Sequence, residues 1–120
     1  MTIPGIRHKR VAEEMLHELS IMVAGELKDP RIEALVTVTE VRVTPDMKHA
    51  RVFVSVVGSE AEQKSTITGL FAAVGYIRHE LTERIQLRRA PEIHFILDHS
   101  QEYGQRIENL LKQTKTPPGE

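Results

Sequence analysis

Ala72-Ala73-Val74-Gly75-Tyr76, at the centre of residues 60–85, is the stretch on which the fold turns. On either side of it, apolar residues recur at Ile67, Leu70, Phe71, Val74, Ile77, Leu81 and Ile85. Spacings of three and four make one face of a helix. Ser59 followed by Glu62 is a capping-box start, so the helix reads as ~25 residues, long for a small domain. Gly75 sits in its middle, where glycine costs ~1 kcal/mol relative to alanine. Small residues at 72, 73 and 75 let a backbone bend, or let something approach it closely. Beyond the bend come Arg78, Arg84, Arg88 and Arg89. A helix broken at small residues and followed by cations predicts a phosphate-facing element. The plainer alternative is a kink that only fits the helix to a sheet.

Working outward, residues 7–28 predict a first helix. Val11, Met15, Leu19 and Met22 keep the stripe, which Ala12 and Val23 widen. Asp29-Pro30 stops it, because proline disfavours helix in the residue before it. Residues 34–44 and 50–57 are rich in β-branched residues and predict two strands. Thr44-Pro45-Asp46-Met47-Lys48-His49 turns between them, making an antiparallel hairpin. In the first strand the apolar parity switches from 36 and 38 to 41 and 43, which a bulge or burial on both faces would produce. Residues 92–98 predict a third strand. Residues 101–113 predict a last helix with Ile107, Leu110 and Leu111 as its apolar contacts. Residues 1–6 and 114–120 read as flexible tails, leaving one domain over 7–113. The fold class expected is α+β, a three-stranded sheet with helices on one face.

Composition narrows the functions. The chain has 120 residues, 40% apolar and 28% charged, and no cysteine, so thiolate chemistry and disulfides are excluded. No apolar run is long enough to span a bilayer and no signal peptide opens the chain, which predicts a cytoplasmic protein without a membrane partner. Net charge is −1, yet residues 84–91 hold three arginines and no acid, and Arg7, Lys9 and Arg10 open the first helix without one. A neutral total is compatible with one basic face. Each cation also has a structural reading. Arg84 can pair with Glu80 one turn earlier, Arg78 can pack its stem with its head in water, and the basic helix start can simply be solvated. Arg88 and Arg89 precede Pro91 in a loop with no evident structural duty. Lys48 in the hairpin turn is ambiguous.

Six histidines invite a metal reading. On a strand, however, His94 and Asp98 lie ~13 Å apart and His99 faces the other side, so one ion cannot take all three. No metal or cofactor is expected. No phosphate-binding Gly-rich loop and no nucleophile motif appears.

Several stretches, in order, carry a resemblance. They are Arg10-Val11-Ala12-Glu13, Leu27-Lys28-Asp29-Pro30-Arg31-Ile32, residues 38–46, residues 49–56, Gly75-Tyr76-Ile77-Arg78-His79-Glu80-Leu81 and residues 87–95. With Ala73-Val74-Gly75 as an interrupted Ala-x-Gly kink, the chain resembles the bacterial ribosome-binding factor A family over about residues 7–112. The element order is similar to a type II KH domain, whose usual Gly-x-x-Gly loop clamps single-stranded RNA. That loop is absent here. The resemblance implies a non-enzymatic assembly factor, tied to growth in the cold. It would bind the free 30S subunit and 16S rRNA, assist late rRNA maturation and leave. Ribosomal proteins and other assembly factors are further implied partners, and a monomer is the expected state. The candidate RNA-binding residues are Arg88, Arg89, Arg84, Arg78, Arg7, Lys9 and Arg10, with Ala73, Val74 and Gly75 at the kink.

Aromatic residues are 4% of the chain, so base stacking, worth ~1–3 kcal/mol per base, is not expected to dominate. The kink is expected to turn Tyr76 into the core, which leaves phosphate and shape recognition by cations. Two other readings stay open from the residues themselves. One is a small α+β ligand-binding or enzymatic domain, which would show a concave pocket with converging polar groups. The other is a protein–protein adaptor on a degenerate KH fold.

Overall fold

Met15, Leu19 and Met22 on the first helix, Val52 and Val54 on the central strand, and Leu70, Ile77 and Leu81 on the paired helices share one core and are fully buried. The computed structural model describes residues 7–32 and 35–99. Helix α1 spans Arg7–Ile21 and runs into a π-helical turn, Met22–Glu26, closed by the Leu27 N–H on the Met22 carbonyl at 3.1 Å. The helical path therefore ends two residues before the expected position 28. Strands β1 (Leu35–Val43) and β2 (His49–Val57), helices α2 (Glu60–Ala72) and α3 (Val74–Ile85), and strand β3 (Glu92–Leu97) follow. The expected helix at 101–113 and both expected tails lie outside the described residues.

The sheet order is β1-β2-β3, with β1 antiparallel and β3 parallel to β2. A parallel neighbour needs a long crossover, which α2 and α3 supply. The parity switch in β1 is a bulge between Val38 and Glu40. Its extra residue, Thr39, turns its hydroxyl to the Asp98 carboxylate at 2.7 Å, reaching from the edge strand past β2 to the end of β3. Ala50, Val52, Val54 and Val56 face the helices, as do Ile93 and Phe95, all buried. Arg51 and Phe53 on β2, and His94 and Ile96 on β3, occupy the opposite face. Helices on one face of a three-stranded sheet, and the helix-strand-strand-helix-helix-strand order, are thus as expected.

The capping box at the start of α2 is present. Ser59 Oγ accepts from the Glu62 N–H at 3.2 Å, and Glu62 Oε1 accepts from the Ser59 N–H at 3.1 Å. The break falls at Ala73 (φ −89°, ψ 2°), which closes α2 and opens α3. Tyr76 is a correction. It is 47% exposed, because α3 resumes without the rotation that would bury it. Phe71, expected on the apolar face, is 45% exposed and rests edge-on against Phe95 with ring centroids 5.5 Å apart.

Candidate nucleic-acid interface

The loop after α3 and the hairpin turn between β1 and β2 meet at one end of the sheet. The Glu92 N–H donates to the Lys48 carbonyl at 2.8 Å, so the start of β3 is tied to the turn. The turn is itself built by Asp46, whose carboxylate accepts from the Thr44 hydroxyl at 2.6 Å and the Lys48 N–H at 3.0 Å. Those bonds, the Thr44 hydroxyl foremost, hold the Asp46 carboxyl below the usual range. Met47 takes the left-handed conformation (φ 65°) that lets the chain reverse.

Between these segments and the start of α1 lies an open groove of about 940 Å³. Arg7, Lys48, Arg78, Arg88 and Arg89 line it, against the carboxylates of Asp46 and Glu92. Five cations against two anions give this one surface the opposite sign to the chain's net charge of −1. Phe71 and Val74 line the same groove, which adds an apolar wall. Among the described residues neither Arg88 nor Arg89 has an ion-pair or hydrogen-bond partner, and both are exposed.

The candidate cations divide by position. Arg88, Arg89, Arg78 and Arg7 converge on the groove, joined by Lys48. Lys9 and Arg10 are exposed on the first turn of α1 and do not line it. Arg78 is half-buried, and its Nη2 donates to the Ala90 carbonyl at 2.8 Å, so its head braces the arginine loop instead of floating in water. Arg84 points elsewhere. Its guanidinium donates to Glu26 Oε1 at 3.2 Å and Glu80 Oε1 at 3.0 Å, with Glu18 at 3.9 Å. The hydrogen bonds it donates to Glu26 and then to Glu80 raise its pKa further above the ordinary arginine value. The π-helical turn at the end of α1 carries Glu26 to this contact, 58 residues away in the chain.

At the kink, α3 starts its own ladder with the Ile77 N–H on the Ala73 carbonyl at 2.9 Å. The amides of Val74, Gly75 and Tyr76 are thus first-turn donors with no acceptor inside α3. A Cβ built on Gly75 meets nothing within 4 Å. The glycine is therefore not needed for internal packing, and it leaves the backbone open to an approaching group. The missed glycine is Gly69. Its Cβ would lie 2.8 Å from Ile32 Cγ1 and 3.1 Å from Arg31 Cβ, so α2 packs closely on the Asp29-Pro30-Arg31-Ile32 segment there. Nothing local in the sequence pairs those positions.

Comparison with known proteins converges on one family. A family model described as ribosome-binding factor A matches residues 7–111. The ribosome-binding factor A of Caldanaerobacter subterraneus subsp. tengcongensis is 48% identical over 114 residues, covering 95% of this chain and 93% of the relative. The solution structure of a Thermotoga maritima protein described as a ribosome binding factor A superposes with a TM-score of 0.65 at 31% identity, covering 80% of this chain and 91% of that one. A Thermus thermophilus ribosome binding factor A homology model, fitted into a cryo-EM map of its 30S complex, superposes with a TM-score of 0.61 at 25% identity, covering 73% and 91%.

Proposed function

The chain belongs to the ribosome-binding factor A family, and from that premise we propose that it binds the free 30S subunit and its 16S rRNA and assists late maturation of that RNA without catalysing a reaction of its own. The observation that carries this reading is the groove in which five cations face two carboxylates. Phosphate contacts supply most sequence-independent affinity for nucleic acid, and unpaired guanidinium groups are suited to them. Arg88 and Arg89 are the principal contacts, with Lys48 and Arg7 on the facing walls. Arg78 sets the loop's position through Ala90. The first-turn amides of α3, beside the open backbone of Gly75, offer a phosphate a second approach. Arg84 is assigned to structure, since three carboxylates already surround it. The related Thermus protein has been fitted into the map of a 30S complex, which agrees with a role on that particle. The protein acts in the cytoplasm as a monomer, engages the immature subunit and leaves the finished one.

Co-sedimentation with immature 30S, mature 30S and 70S particles tests this. Wild type is expected to pellet with free small subunits, less with 70S, and less at higher salt. Arg88→Glu/Arg89→Glu is expected to lose at least tenfold in affinity. Binding untouched by that reversal would remove the groove from the account while leaving the particle. No binding to any particle would overturn the function.

A further inference from the structure

We propose that His49, Glu92 and His94 form a surface site for a divalent transition-metal ion. His49 opens β2 and Glu92 opens β3, and the two are paired in the parallel register. His94 stands two residues further along β3, on the same face as Glu92. His49 Nδ1 lies 3.2 Å from His94 Nε2 and 3.7 Å from Glu92 Oε2, and the three donor atoms all lie within 4.8 Å of one another. Four donors at the ~2.0–2.2 Å bond lengths of zinc sit ~3.3–3.6 Å apart along a tetrahedral edge. Both distances from His49 Nδ1 therefore match a pair of ligands on one ion with little movement.

The donor chemistry selects the metal class. Two imidazoles and one carboxylate suit zinc and its neighbours, whereas calcium and magnesium prefer all-oxygen sites. Two facing imidazole nitrogens can share one proton, and a metal ion in that place bonds to both. The scaffold favours the arrangement, because two adjacent strands hold all three residues and the Glu92 N–H is bonded to the Lys48 carbonyl. Three protein ligands leave a fourth position open to water. Lys48 is adjacent in sequence and Arg51 is paired with His94, so cations flank the trio and moderate its affinity. The trio borders the groove but does not depend on the RNA reading.

The full chain is titrated with zinc sulfate by calorimetry and by NMR of the imidazole nitrogens. One zinc per chain is expected, with the largest nitrogen shifts at His49 and His94. His49→Gln and His94→Gln are each expected to weaken binding at least tenfold, and Glu92→Gln to weaken it by a smaller factor. The wild-type shifts decide even where a variant fails to fold. Shifts centred on His17, His79 or another histidine would overturn the site. So would an affinity left within twofold by the double variant His49→Gln/His94→Gln in a folded chain.

Discussion

Arg84 and Arg88 stand one helical turn apart in number and have opposite environments. Arg84 joins α3 to the end of α1 through Glu26, with Glu80 on its own helix. Arg84→Ala is expected to lower the thermal midpoint, because it leaves three carboxylates crowded without their cation, while the salt dependence of 30S binding stays unchanged. A changed salt dependence with an unchanged midpoint would reverse the assignment. Half of this contact was legible in advance: Glu80 and Arg84 are four apart on a helix, but Glu26 comes from another element. Asp29 gives a pH prediction of the same kind. The Arg31 side chain, and then its backbone N–H, hold the Asp29 carboxyl down to about 2. A folded-state value below the unfolded one means that the contact stabilises fully above about pH 4 and is lost as pH falls through about 2. The difference in thermal midpoint between wild type and Asp29→Asn is therefore expected to be constant above pH 5 and to shrink towards pH 2. A difference that grows on acidification would refute it.

The break between α2 and α3 separates two glycines that a sequence cannot rank. Gly75 marked the expected bend because it sits among small residues, yet it has open space beside it and Ala73 carries the break. Gly75→Ala is thus expected to leave stability unchanged or raise it by up to ~1 kcal/mol, through helix propensity and a less flexible unfolded chain. A partner that uses the open backbone would register the same change as weaker 30S binding. Gly69→Ala is expected to destabilise by ~1–3 kcal/mol, since its Cβ would collide with Ile32 Cγ1 and press tightly on Arg31 Cβ, neither of which is a free side-chain end. Denaturant unfolding of both variants reads the two signs directly, and equal effects would mean that the kink is packed differently. Periodicity and capping chemistry carried the rest of this element. Ser59 and Glu62 form the cap, and of the two readings of the parity switch at 36, 38, 41 and 43 the structure has the bulge. Tyr76 was misplaced because a break in a helix does not by itself say which way the next segment rotates.

At the scale of the whole molecule, the groove exists because the sheet order brings three distant segments together. The α2–α3 crossover returns the chain beside β2, so residues 88–90 meet Lys48 and the start of α1. Arg88 and Arg89 were legible beforehand as a local run of charge in a loop, and the structure puts both on the groove. Lys48 and Phe71 gained their place only from the parallel pairing of β2 with β3, which no local pattern encodes; the same holds for the His49, Glu92 and His94 trio. The salt dependence of binding tests whether the assembled surface acts as a unit. Arg7, Lys48, Arg88 and Arg89 are the four groove cations without a described side-chain partner. Neutralising four phosphates would give log K against log salt a slope of about −3, at ~0.7–0.9 per contact. Arg88→Ala/Arg89→Ala is expected to flatten that slope by about 1.4–1.8, and Lys48→Ala by about 0.7–0.9, with the folded midpoint unchanged in both. If the two effects add, RNA phosphates span the groove from the arginine loop to the hairpin turn. A slope that responds to the arginine pair but not to Lys48 would confine the RNA to one wall, and the α3 amides beside Gly75 would then be the next contact to alter.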